Sequence, residues 1–413
     1  MTKIQTSSLI VNAATALLLA TPIATVLSRN AAFPLLLLSA LLLVVSVRLQ
    51  SDSAEALSDM ARRTFRLKLN APATAIALAS LLFALLSLLW SPDANRGLGA
   101  LFGASTAALV SIFCCMLVAR HINTPAWFMW ALPLAISTSC LLVVSELTFG
   151  SPIRGALGAS TEEFRLNRAA VAFALMLPLL FLVEGSKKRV FTNLALIALV
   201  WIATFMSISE AAKLAVVVVT GTLILSSFIG SRWLVLLCGL SVLATHLFAP
   251  FIAIAMYTFI SREAVASLSM AFAGHPYHFI RLEIWWAHAL QILEAPILGQ
   301  GLQASLWAVD AYQGSNPAII RGLSYGHPHN VSIQIWYELG LVGLLLSIGL
   351  IVLLLRLLLQ LPDHQKKVAA SLMMGIWAVA YVSHGAWQHW WWAIVGSTAV
   401  LFTILKDHGV RQF

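Results

Sequence analysis

Runs of about 20 apolar residues recur from one end of this chain to the other, separated by short polar stretches. That feature leaves few folds open. In lipid every backbone N–H and C=O must be satisfied internally, so only helices or a closed barrel can cross, and runs of this length cross as helices. Of the 413 residues 60% are hydrophobic and 10% charged, which is too little charge to cover a soluble domain. The expectation is an all-α, polytopic transmembrane helical bundle.

Twelve spans are expected, near 8–28, 31–48, 71–90, 97–119, 126–146, 167–184, 190–208, 211–229, 232–258, 330–357, 366–384 and 387–406. The first is too long for a signal-peptide core and no clear small-residue cleavage site follows it, so it is read as retained. Connections on one side of such a bundle carry sixteen of the 25 Lys and Arg residues but only six of the 16 acidic ones. Excess Lys and Arg mark the cytoplasmic side, which puts both termini inside. Topology thus accounts for the net charge of +9 without nucleic acid. The four cysteines, Cys114, Cys115, Cys140 and Cys238, lie within apolar runs and are read as small core residues, neither disulfide-bonded nor metal-bound.

The chain divides into nine spans over 1–258, an outer loop region over 259–329, and three spans with a short tail over 330–413. A loop that long is uncommon unless it has a function. Its stretch 277–301 places Ile280, Ile284, Ala287 and Leu290 at helical spacing and stops at Pro296 and Gly299, so an amphipathic helix is expected on the outer face.

Polar groups gather on that same side. Arg165, Asn167 and Arg168 stand at the mouth of the sixth span, and Glu210 and Lys213 share a short turn. Arg281 and Glu283 lie on the loop helix; His327, Pro328, His329 and Asn330 lead into a span that carries Glu338; and 384–392 holds two histidines among tryptophans. Each group has a plain structural reading: interfacial anchors for Arg165, Arg168 and Lys213, a solvated helix face for Arg281 and Glu283, and an aromatic belt for Trp387 and Trp390–Trp392. His329 resists that treatment. Asn330 is placed to cap the helix, Pro328 stiffens the approach, and a helix N-terminus disfavours imidazolium, leaving the neutral ring that a general base needs. Glu338, an acidic group within a span, is open to two readings, a functional partner or a buried brace. Gly340 and Gly343 are expected to let helices pack closely. Cations around a neutral histidine, with no acidic metal-binding cluster, suit transfer of a group from a lipid-linked pyrophosphate to a hydroxyl.

Arg281, then Trp285 or Trp286, then 295-APILGQG-301, then 329-HNVSIQIWYELGLVG-343, resembles the ordered signature of the bacterial O-antigen ligase and polymerase superfamily. Within it the chain looks like the O-antigen ligase. The resemblance implies an inverting glycosyltransferase that needs no metal or other cofactor. Its substrates would be undecaprenyl-pyrophosphate-linked O-antigen and lipid A-core oligosaccharide, met on the periplasmic face of the inner membrane. By position His329 would match the general base and Arg281 the arginine that contacts pyrophosphate. Lys213, Arg165, Arg168, His327, Asn330 and Glu338 are the further candidates for substrate binding. Where the family often has a Ser-Arg-Gly-like turn, this chain has Ser209, Glu210, Ala211, Ala212 and Lys213, so Lys213 would supply the second cation. An O-antigen polymerase, a protein O-oligosaccharyltransferase and a twelve-span transporter are the alternatives. The last is disfavoured because no internal repeat is visible and the polar groups sit at the outer rim.

Overall fold

The computed structural model describes residues 3–50, 71–121, 127–182, 187–260, 278–383 and 385–406. Among these residues the chain is helical and contains no strand. The first half runs through α1 (Lys3–Leu19), α2 (Thr21–Leu27), α3 (Ala32–Gln50), α4 (Ala71–Leu86), α5 (Ala94–His121), α6 (Phe128–Thr148) and α7 (Asn167–Met176). The second half continues through α8 (Lys187–Met206), α9 (Glu210–Leu225), α10 (Ser231–Leu247), α11 (Ala249–Phe259), α12 (His278–Gln291), α13 (Pro317–Leu323), α14 (Val331–Leu358), α15 (Asp363–Val382) and α16 (His389–Lys406).

Among the described residues six helices are long and apolar enough to cross a bilayer, and eight spans result if each bent pair counts as one: α1 with α2 at 53° and α10 with α11 at 74°. Helices also occupy the other expected positions, as α8, α9, α15 and α16. Many large apolar side chains point outward, among them Leu89, Phe102, Phe228 and Phe259, as a lipid-facing surface requires. The core is made where small residues let helices close on one another. Gly375 of α15 is an example: a Cβ there would lie 2.6 Å from Val219 of α9, and Ser371 donates to the Val219 carbonyl at 2.9 Å.

The span expected over 330–357 is not continuous. At Gly340 the backbone leaves the helix (φ 60°, ψ −156°), about 13 Å along from Val331. In an unbroken helix Leu341 and Val342 would donate to the carbonyls of Tyr337 and Glu338. Here the segment after α12 takes both sides of that opening. Leu341 N donates to Pro296 O at 2.9 Å and Val342 N to Ile297 O at 3.1 Å, while Gln300 N and Gly301 N donate to Tyr337 O and Glu338 O, each at 2.9 Å. Two helical bonds open, four loop–helix bonds replace them, and each of the four freed backbone groups finds a partner, as irregular backbone at membrane depth demands.

His246 of α10 shows how far the helix turns at this point. Its Nδ1 lies 2.9 Å from Ser332 Oγ and its Nε2 2.7 Å from Ser347 Oγ. One imidazole bridges two serines that a straight helix would part by about 22 Å. The two arms of α14 therefore fold back towards each other, with His246 between them. Gly340 breaks the helix; it does not serve the helix packing expected of it.

Candidate active site

Residues 278–329 supply α12 and α13, and the two pack together. Glu283 does not pair with its neighbour Arg281. Its buried carboxylate takes the guanidinium of Arg321 on α13, with Nε at 2.9 Å from Oε2 and the second nitrogen bonded to Oε1. That fork fixes the two loop helices side by side, and Arg281 is left to point elsewhere.

Arg281 points to the end of α15. Its guanidinium donates to the carbonyl of Val382 at 2.8 Å. The next carbonyl, Ser383 O, lies 3.0 Å from Nδ1 of His329. Two consecutive carbonyls at one helix terminus thus hold the two residues singled out from the sequence, although 48 positions separate them in the chain. Arg281 is largely buried, which works against its charge, and the carboxylate of Glu210 works in its favour.

His329 has a left-handed backbone, φ 51°. For a residue with a Cβ that conformation costs on the order of 1–2 kcal/mol, so its surroundings must enforce it. They do so from both sides. The His329 N–H donates to Nδ1 of His327 at 3.1 Å, and the two rings lie 4.0 Å apart. Directly after it, Asn330 Oδ1 accepts from Ser332 N at 2.9 Å and Ile333 N at 3.1 Å and so caps α14.

The acceptors settle the tautomers. A carbonyl only accepts, so His329 carries its proton on Nδ1 and offers the lone pair of Nε2. His327 accepts at Nδ1 and so carries its proton on Nε2. Burial pushes His329 below the ordinary histidine range; the Ser383 carbonyl opposes that shift and the Arg281 charge adds to it. His327 is pushed down to about 3, chiefly by burial and then by the neighbouring His329 and His288. Both rings are neutral near pH 7.

Lys213 stands in the first turn of α9. α9 packs along α15, and Ser209 caps its first turn by accepting from Ala212 N. Lys213 Nζ lies 3.0 Å from Glu210 Oε1 in that turn. The charge of Glu210 acts on Arg281, which links the Glu210–Lys213 pair electrostatically to the residues held at the end of α15.

Other sequence candidates lie elsewhere or are already engaged. Arg168 donates to Arg29 O at 2.7 Å and Asn30 Oδ1 at 2.9 Å and lies 4.0 Å over the Trp390 ring, which braces the α2–α3 turn against α16. Arg165 bonds Glu162 at 3.2 Å through Nε and stays half-exposed. Glu338 is fully buried. One carboxylate oxygen accepts from Ser305 at 2.6 Å and Gln334 at 2.9 Å, the other from Gln303 N at 2.9 Å and Trp387 at 2.6 Å. It holds the segment after α12 and the turn before α16 against α14. Trp390 and Trp391 are 6% and 4% exposed, so the expected aromatic belt is there a packed core. His384 lies outside the described residues.

Sequence reasoning passed over His288 and His246. His288, fully buried in α12, has its ring nitrogens 2.8 Å from Ile284 O and 3.0 Å from Gly326 O, next to His327. Burial holds it down to about 4, against the pull of those carbonyls, so the neutral ring donates to only one of them. A histidine within an otherwise apolar face is the only sequence signal for either. An open apolar cavity of about 360 Å³ at Trp90 and residues 295–299 lies at the interlock with the broken helix and has no charged lining.

Comparison with known proteins bears out the resemblance carried by residues 281–343. Residues 194–348 match the family model described as O-antigen ligase, a range that includes Glu210, Lys213, Arg281 and His329. A Rickettsia conorii protein named "Putative polysaccharide ligase" is 33% identical over 120 residues, 27% of this chain and 28% of the relative. A protein of the same name from Rickettsia bellii is 29% identical over 122 residues, 28% of this chain and 29% of that one. The alignments thus span less than a third of these relatives.

Proposed function

We propose that this chain, whose residues 194–348 carry an O-antigen ligase family match, transfers O-antigen glycan from undecaprenyl pyrophosphate to a sugar hydroxyl of lipid A-core oligosaccharide. The reaction would take place at the periplasmic face of the inner membrane. The observation that carries this reading is the pairing of Arg281 and His329 on consecutive carbonyls, Val382 O and Ser383 O, with His329 fixed as the Nδ1–H tautomer.

From that tautomer the step follows. Nε2 of His329 takes the proton of the acceptor hydroxyl as its oxygen bonds to the anomeric carbon of the donor. The bond from that carbon to the pyrophosphate oxygen breaks, and its electron pair leaves with the pyrophosphate. Attack from the side opposite the leaving group inverts the centre. The Nδ1–H bond to Ser383 O stabilises the imidazolium that forms, as an orienting acceptor does for other histidine bases. Arg281 and Lys213 neutralise charge as it grows on the leaving diphosphate, where fixed cations are most effective. Half-exposed Arg165 is the remaining candidate for a phosphate contact; His327 and Asn330 set the position of the base.

A strain lacking this chain tests the reading. Lipid A-core without O-antigen, together with polymerised O-antigen accumulated on undecaprenyl pyrophosphate, is the expected phenotype. A core carrying single repeat units identifies a polymerase instead, and an unchanged lipopolysaccharide with an unglycosylated surface protein identifies a protein O-oligosaccharyltransferase. The broken α14 is a feature also found in transporters; a strain that ligates normally but fails to move a solute overturns the enzyme reading altogether.

A further inference from the structure

The cationic corner of the site already holds an anion of the protein's own. Glu210 lies in the first turn of α9, where the helix N-terminus favours negative charge. Its Oε1 is 3.0 Å from Lys213 Nζ, and the pair is largely enclosed, the lysine side chain being 15% exposed and the glutamate 28%. The same carboxylate supports the charge of Arg281, the arginine on the Val382 carbonyl. A helix N-terminus, an ammonium and a guanidinium would together make a phosphate site. In this chain a carboxylate is built into it.

We infer that Glu210 is a release residue: it competes with the diphosphate for Lys213, and so limits how tightly the spent carrier lipid is held. This rests on the reading of the site as a glycosyltransferase that uses a lipid diphosphate.

The argument is one of charge. The donor diphosphate is esterified at both ends and has one ionised oxygen on each phosphorus. Breaking the bond to the sugar leaves a diphosphate esterified at one end only, with one more ionisable oxygen. The product is therefore more anionic than the substrate, and cations that stabilise the leaving group also retain it. A fixed carboxylate beside those cations repels the product more than the donor. Once the product departs, the carboxylate takes Lys213 back, so the ammonium is not left unpaired in an enclosed site. The cost is weaker donor binding; the gain is turnover. Sequence placed Glu210 only as a neighbour of Lys213.

The test uses full-length protein in nanodiscs, with undecaprenyl pyrophosphate as the probe in direct binding and as an inhibitor of transfer. Glu210→Gln keeps the size and the helix position but removes the charge. It should bind the probe about three- to tenfold more tightly than wild type, the range expected for one part-screened charge at this distance. KM for the donor and kcat should fall together, because release slows. Glu210→Asp, with its carboxylate drawn back by one methylene, should fall between the two. A purely structural glutamate would instead lower kcat with KM unchanged or raised, and leave probe affinity unchanged or weaker; that result overturns the inference. If Glu210→Gln does not accumulate, Glu210→Asp decides the matter, since an affinity no tighter than wild type overturns it as well. Failure of wild-type protein to bind the probe would sink the proposed function itself, which keeps the two failures apart.

Discussion

Replacing Gly340 by alanine tests the interlock between α14 and the segment 296–301. At φ 60° and ψ −156° Gly340 occupies a region open essentially to glycine alone, and a Cβ there costs on the order of 1–3 kcal/mol in strain. Steric conflict comes on top. The added carbon would lie 2.6 Å from Gly299 N and closer still to the Ile297 carbonyl, all backbone atoms that no rotamer change can move aside. Relief requires the 296–301 segment to retreat, which breaks the bonds from Leu341 N to Pro296 O and from Val342 N to Ile297 O. Each donor left unpaired away from water costs about 1–3 kcal/mol, so the total is on the order of 5 kcal/mol. Purified Gly340→Ala in detergent, followed by the loss of monodisperse protein on heating, should show a midpoint about 10 °C or more below wild type. Gly221→Ala is the control, because nothing lies within 4 Å of a Cβ there. If Gly340→Ala melts with Gly221→Ala, the glycine motifs do not interlock as described, and the account of α14 is wrong.

Three further outcomes follow from the site. Cells carrying His329→Ala should lose transfer by about a hundredfold or more at unchanged protein level, the usual contribution of a general base; wild-type transfer would refute that role. The pH profile follows from the sign of the His329 shift: burial lowers its pKa, the neutral ring is the active form, and so activity should fall only as pH drops below the ordinary histidine value of 6.5. An acid limb centred above that value would contradict the assignment. Arg281→Lys keeps the charge but gives up the guanidinium that reaches the Val382 carbonyl, and should lose more than tenfold in kcat/KM for the donor with the fold intact by thermal melting.

Much of this molecule is legible from the sequence, for identifiable reasons. Apolar runs of span length force helices, because lipid offers no partner to a bare backbone group. Asn330 announces its cap by its type and its place before an apolar helix. The histidine, the loop arginine and the glycine motifs are all visible in order. What the sequence hides is which groups meet. Glu338 and Trp387 are 49 residues apart and share a hydrogen bond at 2.6 Å, and Glu283 reaches Arg321 and not Arg281. The aromatic residues at 390 and 391 look like an interfacial belt by composition but are buried by the approach of α5 and α16.

The sequence by itself determined the helices and put forward Arg281 and His329 as the candidate pair. Only the tertiary structure decided that α14 breaks at Gly340, that the backbone of 296–301 fills the break, and that Val382 and Ser383 hold Arg281 and His329 side by side. The physical reason is one of range. Hydropathy and capping act between residues a few positions apart, and a sequence displays them. The partner of a freed backbone N–H, or of a buried carboxylate, is chosen by whichever surface packing brings within about 3 Å, and chain order does not record that.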